Sequence, residues 1–266
     1  MCERLNRRYG PVECFLDHEN PFRLLIAVLL SAQTTDAQVN KVTPQLFAQW
    51  PTPEAMAGAS VTDVADTIKS LGFYKSKAKH AVEAAQMIVA DYGGEVPADM
   101  KELVKLPGVG RKTANIVLNV GYGIVEGIAV DTHVNRIAHR LMLSPKTHAK
   151  EPLKTEQDLL KILPHEYWES VNHQWITFGR EICDARKPKC DECPLADLCP
   201  SVPLLLRISG RHKSRRSRCP RRSLRLPKQE LFCRYNRCAL GIVALGAVIY
   251  DGSVLCGNAQ FGTNRA

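Results

Sequence analysis

The chain has 266 residues, 45% of them hydrophobic, which is enough to bury a core in one large domain or two modest ones. Its formal charge of +9 points to a polyanionic partner, yet residues 1–200 carry 23 Lys+Arg against 25 Asp+Glu, while the last 66 residues carry a net of +11. Bulk charge is therefore excluded as the means by which the first 200 residues would hold a polyanion, and the absence of a long apolar run or a leader-like opening argues against a membrane-spanning or secreted chain.

Up to about Pro200 the pattern is a succession of amphipathic helices separated by short Gly and Pro punctuation, an all-α reading. Pro21–Val39 opens with Leu24, Leu25, Ile26, Val28, Leu29 and Leu30 and predicts one buried helix, apolar all round as a central helix must be. Val61–Ser70 and Ser76–Tyr92 predict a helix, a tight turn at Leu71-Gly72 and a second helix. Pro97–Leu106 and Arg111–Val120 repeat that form around Pro107-Gly108-Val109-Gly110. Thr132–Leu143, Thr155–Leu163 and Tyr167–Ile182 are also helical in period. From Ser201 the character changes. Arg207–Arg225 is rich in Arg and Ser and reads as disordered, and Cys238–Cys256 is β-prone, with Asp251-Gly252 as a possible hairpin turn.

The strongest short motif is LPGVGRKTAN, Leu106–Asn115. Gly108 and Gly110 allow a sharp turn that brings unobstructed N–H groups to a helix N-terminus, where a phosphate can sit without its base being read. Val109 and Arg111 complete the grip. By itself the motif fits an ordinary helix–helix turn about as well. Lys112 follows at the start of the second helix. A lysine amine attacks an electrophilic sugar carbon only when unprotonated; desolvation, Arg111 and the helix N-terminus would all disfavour the ammonium form. A solvated lysine touching a phosphate is the plainer alternative. Asp131, before Thr132-His133-Val134, is a natural N-cap. Cys183, Cys190, Cys193 and Cys199 lie within seventeen residues of a chain with ten cysteines, a spacing that favours metal over disulfides in a reducing compartment. Zinc and an iron–sulfur cluster would use the same four sulfurs.

These segments together resemble one family. LPGVGRKTAN followed by VDTHVNR at Val130, with LLIAVLLSAQTTD at Leu24–Asp36, LGFYKSKA at Leu71–Ala78 and the four-cysteine spacing, is similar to the helix-hairpin-helix DNA glycosylases of the endonuclease III family. The likeness covers nearly all of residues 1–200. It implies an all-α, two-lobed fold: a six-helix lobe over residues 14–123, an iron–sulfur lobe formed by 1–13 and 124–200, and a basic tail, 201–266, that the family does not explain.

The resemblance implies a base-excision N-glycosylase with associated AP (apurinic/apyrimidinic) lyase activity, acting on double-stranded DNA with oxidised pyrimidines or abasic sites. Lys112 is then the nucleophile, Asp131 the catalytic carboxylate, and the four cysteines hold one four-iron, four-sulfur (4Fe–4S) cluster. Arg186, Lys187 and Lys189 between the first two cysteines would meet the DNA backbone. Gln33 and Phe73 would fill the gap left by an extruded base, although a capping amide and a core aromatic are equally good readings of those two residues. A monomer in the bacterial cytoplasm, associated with the nucleoid, is expected. The related adenine-mismatch glycosylases, and a non-catalytic helix-hairpin-helix binder, are the competing functions. Lys112 together with Asp131 argues against both.

Overall fold

A computed structural model describes residues 1–202; the basic stretch and the strands expected within Cys238–Cys256 lie outside the described residues. Helices make up all of the regular structure among the described residues. Eleven α-helices are found there: α1 (Cys2–Tyr9), α2 (Pro21–Leu30), α3 (Asp36–Gln49), α4 (Pro53–Ala57), α5 (Val61–Thr67), α6 (Tyr74–Tyr92), α7 (Met100–Leu103), α8 (Arg111–Ile116), α9 (Thr132–Arg140), α10 (Pro152–Ile162) and α11 (Trp168–Glu181). None is long and apolar enough to cross a membrane.

Two hydrophobic cores organise them. The first gathers residues from Leu16 to Leu118, with Ala129. Its centre is α2, which begins at Pro21 behind the Asn20 cap, whose side chain accepts from Arg23 N–H, and in which every residue from Leu24 to Leu30 is buried. Removing a Leu-sized side chain from water contributes roughly 1.5–3 kcal/mol, so this helix anchors the lobe. It packs on α3, α6 and α8. Against α4, α5 and α2, α6 turns Ala78, Ala81, Ala84 and Ala85, all fully or almost fully buried, and small side chains there let the helices approach closely. The second core joins Leu5 of α1 to Ile128, Val130, Val134, Ile137, Leu159, Trp175, Phe178 and Leu195, with α11 packed on α1 and α9. The short α1 docks firmly: Arg4 pairs with Asp197 at 2.6 Å, Arg8 with Glu181 at 2.5 Å, and Tyr9 Oη donates to Glu181.

Several boundaries differ from the periodicity. The helix expected over Pro21–Val39 is two helices, because the backbone turns over between Ser31 and Thr35 and Gln33 adopts φ 53°. α3 then runs through Pro44 to Gln49, where no helix was expected, and α4 was also missed. The expected Arg111–Val120 helix loosens after Ile116 into a wider π-helical turn, Val117–Gly121; such turns often sit beside functional sites.

Candidate active site

The LPGVGRKTAN segment folds as the anticipated hairpin. α7, capped by Asp99 side-chain bonds to the N–H groups of Lys101 and Glu102, enters a turn closed by Val109 N–H on Leu106 O at 3.0 Å, and α8 leaves at Arg111. The two glycines serve different ends. Gly108 has φ +76°, and a Cβ there would come within 2.9 Å of the His80 ring, so both conformation and space demand glycine. Gly110 is extended, φ −95° and ψ 172°, which any residue can adopt; what its missing side chain leaves is an open approach to the first N–H groups of α8. Val109 is buried and pins the turn to the first core.

Lys112 is exposed at the start of α8, so protein burial does not strip water from its ammonium, contrary to the desolvation expected from the sequence. Arg111, its neighbour, is engaged elsewhere. Its Nε donates to Glu156 Oε2 at 2.7 Å across the molecule. The Lys112 charge reaches Asp131, as the smallest of the influences on that carboxylate. That carboxylate caps α9: Oδ1 accepts from the N–H groups of His133 and Val134, both at 2.8 Å, while Oδ2 lies 3.0 Å from His133 Nδ1. Burial alone would push this carboxyl up. The bonds from His133 and Val134, with the charges of His133 and Lys112, outweigh it and hold the group below its ordinary value, so Asp131 is anionic at neutral pH. The residue that the sequence offered both as a cap and as a site carboxylate does cap α9. His173 lies in the same field; burial pushes its imidazole down against the pull of Asp36 and Asp131, with Lys112 adding to the depression. The ring is neutral at pH 7 and packs edge-on to Phe15 at 5.5 Å.

The four cysteines Cys183, Cys190, Cys193 and Cys199 form no disulfide and line one cavity, walled also by Ile137, Leu141, Phe178 and Ile182. Four sulfurs around one cavity with apolar walls suit an iron–sulfur cluster. Donors are already aimed at the sulfurs, from Arg140 Nη1 to Cys183 Sγ at 3.2 Å and from Leu195 N–H to Cys193 Sγ at 3.4 Å. Burial pushes the Cys193 thiol up to about 11, and ligation to iron requires the thiolate.

Comparison with known proteins agrees with this chemistry. Residues 26–165 match the HhH-GPD superfamily of base excision DNA repair proteins, and residues 183–199 match the iron–sulfur binding domain of endonuclease III. Endonuclease III of Synechocystis is 47% identical over 198 residues, spanning 74% of this chain and 89% of that protein; that of Bacillus subtilis is 47% identical over 197 residues with the same coverage. The structure of a trapped endonuclease III–DNA covalent intermediate superposes with a TM-score of 0.72 at 44% identity, covering 76% of this chain and 94% of that one. The chain belongs to the endonuclease III family. It is a base-excision DNA repair enzyme, a DNA glycosylase with associated AP lyase activity, its macromolecular partner is DNA, and it has the family's iron–sulfur cluster.

In this endonuclease III chain, Gln33 and Phe73 occupy two exposed loop tips. Both have positive φ, 53° and 58°, and Phe73 is 67% exposed. Neither plainer reading describes them: Phe73 is outside both cores, and the Gln33 side chain caps no helix among the described residues. Arg186, Lys187 and Lys189 are exposed on the loop between the first two cysteines, where Asp184 accepts the N–H groups of Arg186 and Lys187.

Sequence reasoning missed the residues that support these. Lys77, only 4% exposed, donates from Nζ to Thr34 Oγ1 at 2.6 Å, so it ties the Gln33 loop to the base of the Phe73 loop; the signal was a lysine on the buried stripe of LGFYKSKA. Arg136 and Arg140, one turn apart on α9, donate to Cys183 O, and Arg140 also to Asp184 O and Ala185 O. Their spacing was the available clue.

Proposed function

We propose that Lys112 is the amine nucleophile and Asp131 the carboxylate partner of a lyase that removes oxidised pyrimidines from duplex DNA. The observation that carries this reading is an exposed lysine in the first turn of the hairpin helix α8 and a half-buried, anionic aspartate capping α9 within reach of its charge, on two helices that pack in different cores. Hairpin N–H groups hold the phosphate backbone, with Gly110 giving clearance, and position the damaged nucleotide once it leaves the stack.

The unprotonated Nζ of Lys112 attacks C1′, forming an N–C bond as the bond to the base breaks and the base leaves with the electron pair. Opening of the sugar then gives an imine between Lys112 and C1′. The imine acidifies the C2′ proton, whose removal expels the 3′ phosphate by β-elimination, and water hydrolyses the imine to free the lysine. Asp131, anionic and held at both oxygens, stabilises positive charge as the base departs and relays protons around the sugar. Because Lys112 is exposed in the free protein, bound DNA supplies the desolvation that favours its neutral amine.

The four cysteines hold a 4Fe–4S cluster, which cross-links residues 183–199 and presents Arg186, Lys187 and Lys189 to the backbone. Gln33 and Phe73 enter the space vacated by the extruded base. We read residues 14–123 and 1–13 with 124–200 as the two lobes, and the working form as a monomer in the cytoplasm. Borohydride trapping on abasic-site duplex tests the assignment: wild type should give a stable adduct mapping to Lys112, and undiminished trapping by a folded Lys112→Gln protein removes it.

A further inference from the structure

We infer that Glu156 on α10, with its neighbour Thr155, is the positioning element that sets Lys112 against Asp131; this rests on the assignment of those two residues above. Glu156 is a carboxylate only 3% exposed. Each of its oxygens takes one donor from α8: Oε2 accepts from Arg111 Nε at 2.7 Å and Oε1 from Asn115 Nδ2 at 2.8 Å. Arg111 and Asn115 are four residues apart, hence on one face of the helix, so two fixed points lock both its rotation and its advance along its axis. Lys112, about 100° further round, is then delivered in a set direction although its own side chain is exposed.

The other end of the device is one residue away. Thr155, fully buried, donates from Oγ1 to Asn135 Oδ1 at 2.8 Å, and Asn135 lies on α9, the helix that Asp131 caps. Adjacent residues of α10 therefore grip the two helices that carry the reacting groups. Asn115 reinforces the join, because Nδ2 also donates to Ile128 O at 3.3 Å, three residues before Asp131. The fit is tight enough to exclude a methyl group: a Cβ on Gly127 would lie 2.5 Å from Glu156 Oε1 and 2.6 Å from Asn115 Oδ1. Asn115 Oδ1 is itself buried without a partner, an unfavourable feature tolerated where the amide must turn both hydrogens toward Glu156 and Ile128.

A buried carboxylate with two donors is more than packing requires. An amide offers one acceptor oxygen where the carboxylate offers two, so Glu156→Gln keeps the volume and breaks the arrangement in which Arg111 and Asn115 each hold their own oxygen. Displacement of a reacting group by about 1 Å can lower a rate about 100-fold. The test compares wild type, Glu156→Gln, Thr155→Val and Lys112→Gln, each purified with its cluster, on abasic-site duplex. Both the single-turnover rate of borohydride-trapped adduct at saturating enzyme and the Kd for the same duplex are measured.

The expected result is a loss of roughly 10- to 100-fold in trapping rate for Glu156→Gln, a smaller loss for Thr155→Val, and a Kd within about threefold of wild type for both. If Glu156→Gln does not fold with its cluster, Thr155→Val decides, since it removes the α9 bond without a charge. Wild-type trapping rates in the folded variants, or affinity losses as large as the rate losses, overturn the inference. Lys112→Gln separates the two levels: if it still traps, the nucleophile assignment fails, whereas if it does not trap while the α10 variants trap normally, only the positioning role fails.

Discussion

At the residue scale, the two roles of Asp131 separate by substitution. Asn caps helices as well as Asp does, so Asp131→Asn should retain the bonds to His133 and Val134 N–H and most of the stability, yet lose nearly all turnover because the charge facing Lys112 is gone. Asp131→Ala loses the cap too, which costs about 0.5–2 kcal/mol, measurable by denaturant unfolding. The depressed carboxyl makes a pH prediction. A group whose folded pKa lies below its ordinary value of 3.8 stabilises the fold fully above that value and loses the contribution as pH falls through the folded one. The stability difference between wild type and Asp131→Asn should therefore shrink on acidification below about pH 4; a difference that grows there would contradict the anionic assignment. Lys112, Asp131 and the cysteines could be singled out as site candidates because each sits in a short contiguous motif. Glu156 was not: within TEQDLLKIL it looks like any helical glutamate, and its partners are 41 and 45 residues away.

At the scale of the elements, loops carry strain that the cores do not need. Phe73 has φ 58° and is 67% exposed, a conformation that costs a bulky residue about 1–3 kcal/mol and returns little burial. Phe73→Gly should raise thermal stability slightly while weakening the preference for lesion over undamaged duplex, read by melting and by competitive binding; lower stability with unchanged preference would make Phe73 structural. Gly108→Ala should do the reverse of stabilise, since φ +76° and the 2.9 Å approach to His80 both oppose a side chain, and DNA affinity should fall with the deformed hairpin. The element pattern was readable wherever apolar periodicity ran unbroken, as in α6 and α11. It failed between α2 and α3 because the reversal falls on Gln33 and its neighbours rather than on Gly, Pro or Asn, and α3 was hidden by Pro44 inside it.

At the scale of the whole molecule, two cores meet along α8, α10 and the segment leading to Asp131, and the cluster loop hangs on α9 through Arg136 and Arg140. Purified protein should be brown with acid-labile sulfide, and Cys193→Ser should lower stability and DNA affinity more than it changes chemistry on DNA still bound. The charge distribution adds a salt prediction. Residues 201–266 hold a net of +11 while residues 1–200 hold −2, and each phosphate neutralised adds about 0.9 to the slope of log affinity against log salt. A chain ending at Val202, which keeps the wall of the cluster cavity, should bind undamaged DNA more weakly and with a flatter salt slope, at an unchanged single-turnover rate. The central claim, that the fold brings Lys112 to Asp131 for glycosylase and lyase chemistry, is tested most directly by strand cleavage of abasic-site duplex under single-turnover conditions. Wild type should nick with a β-elimination end, and folded, cluster-loaded Lys112→Gln should bind the same duplex without nicking it. Nicking by Lys112→Gln at the wild-type rate would contradict the account.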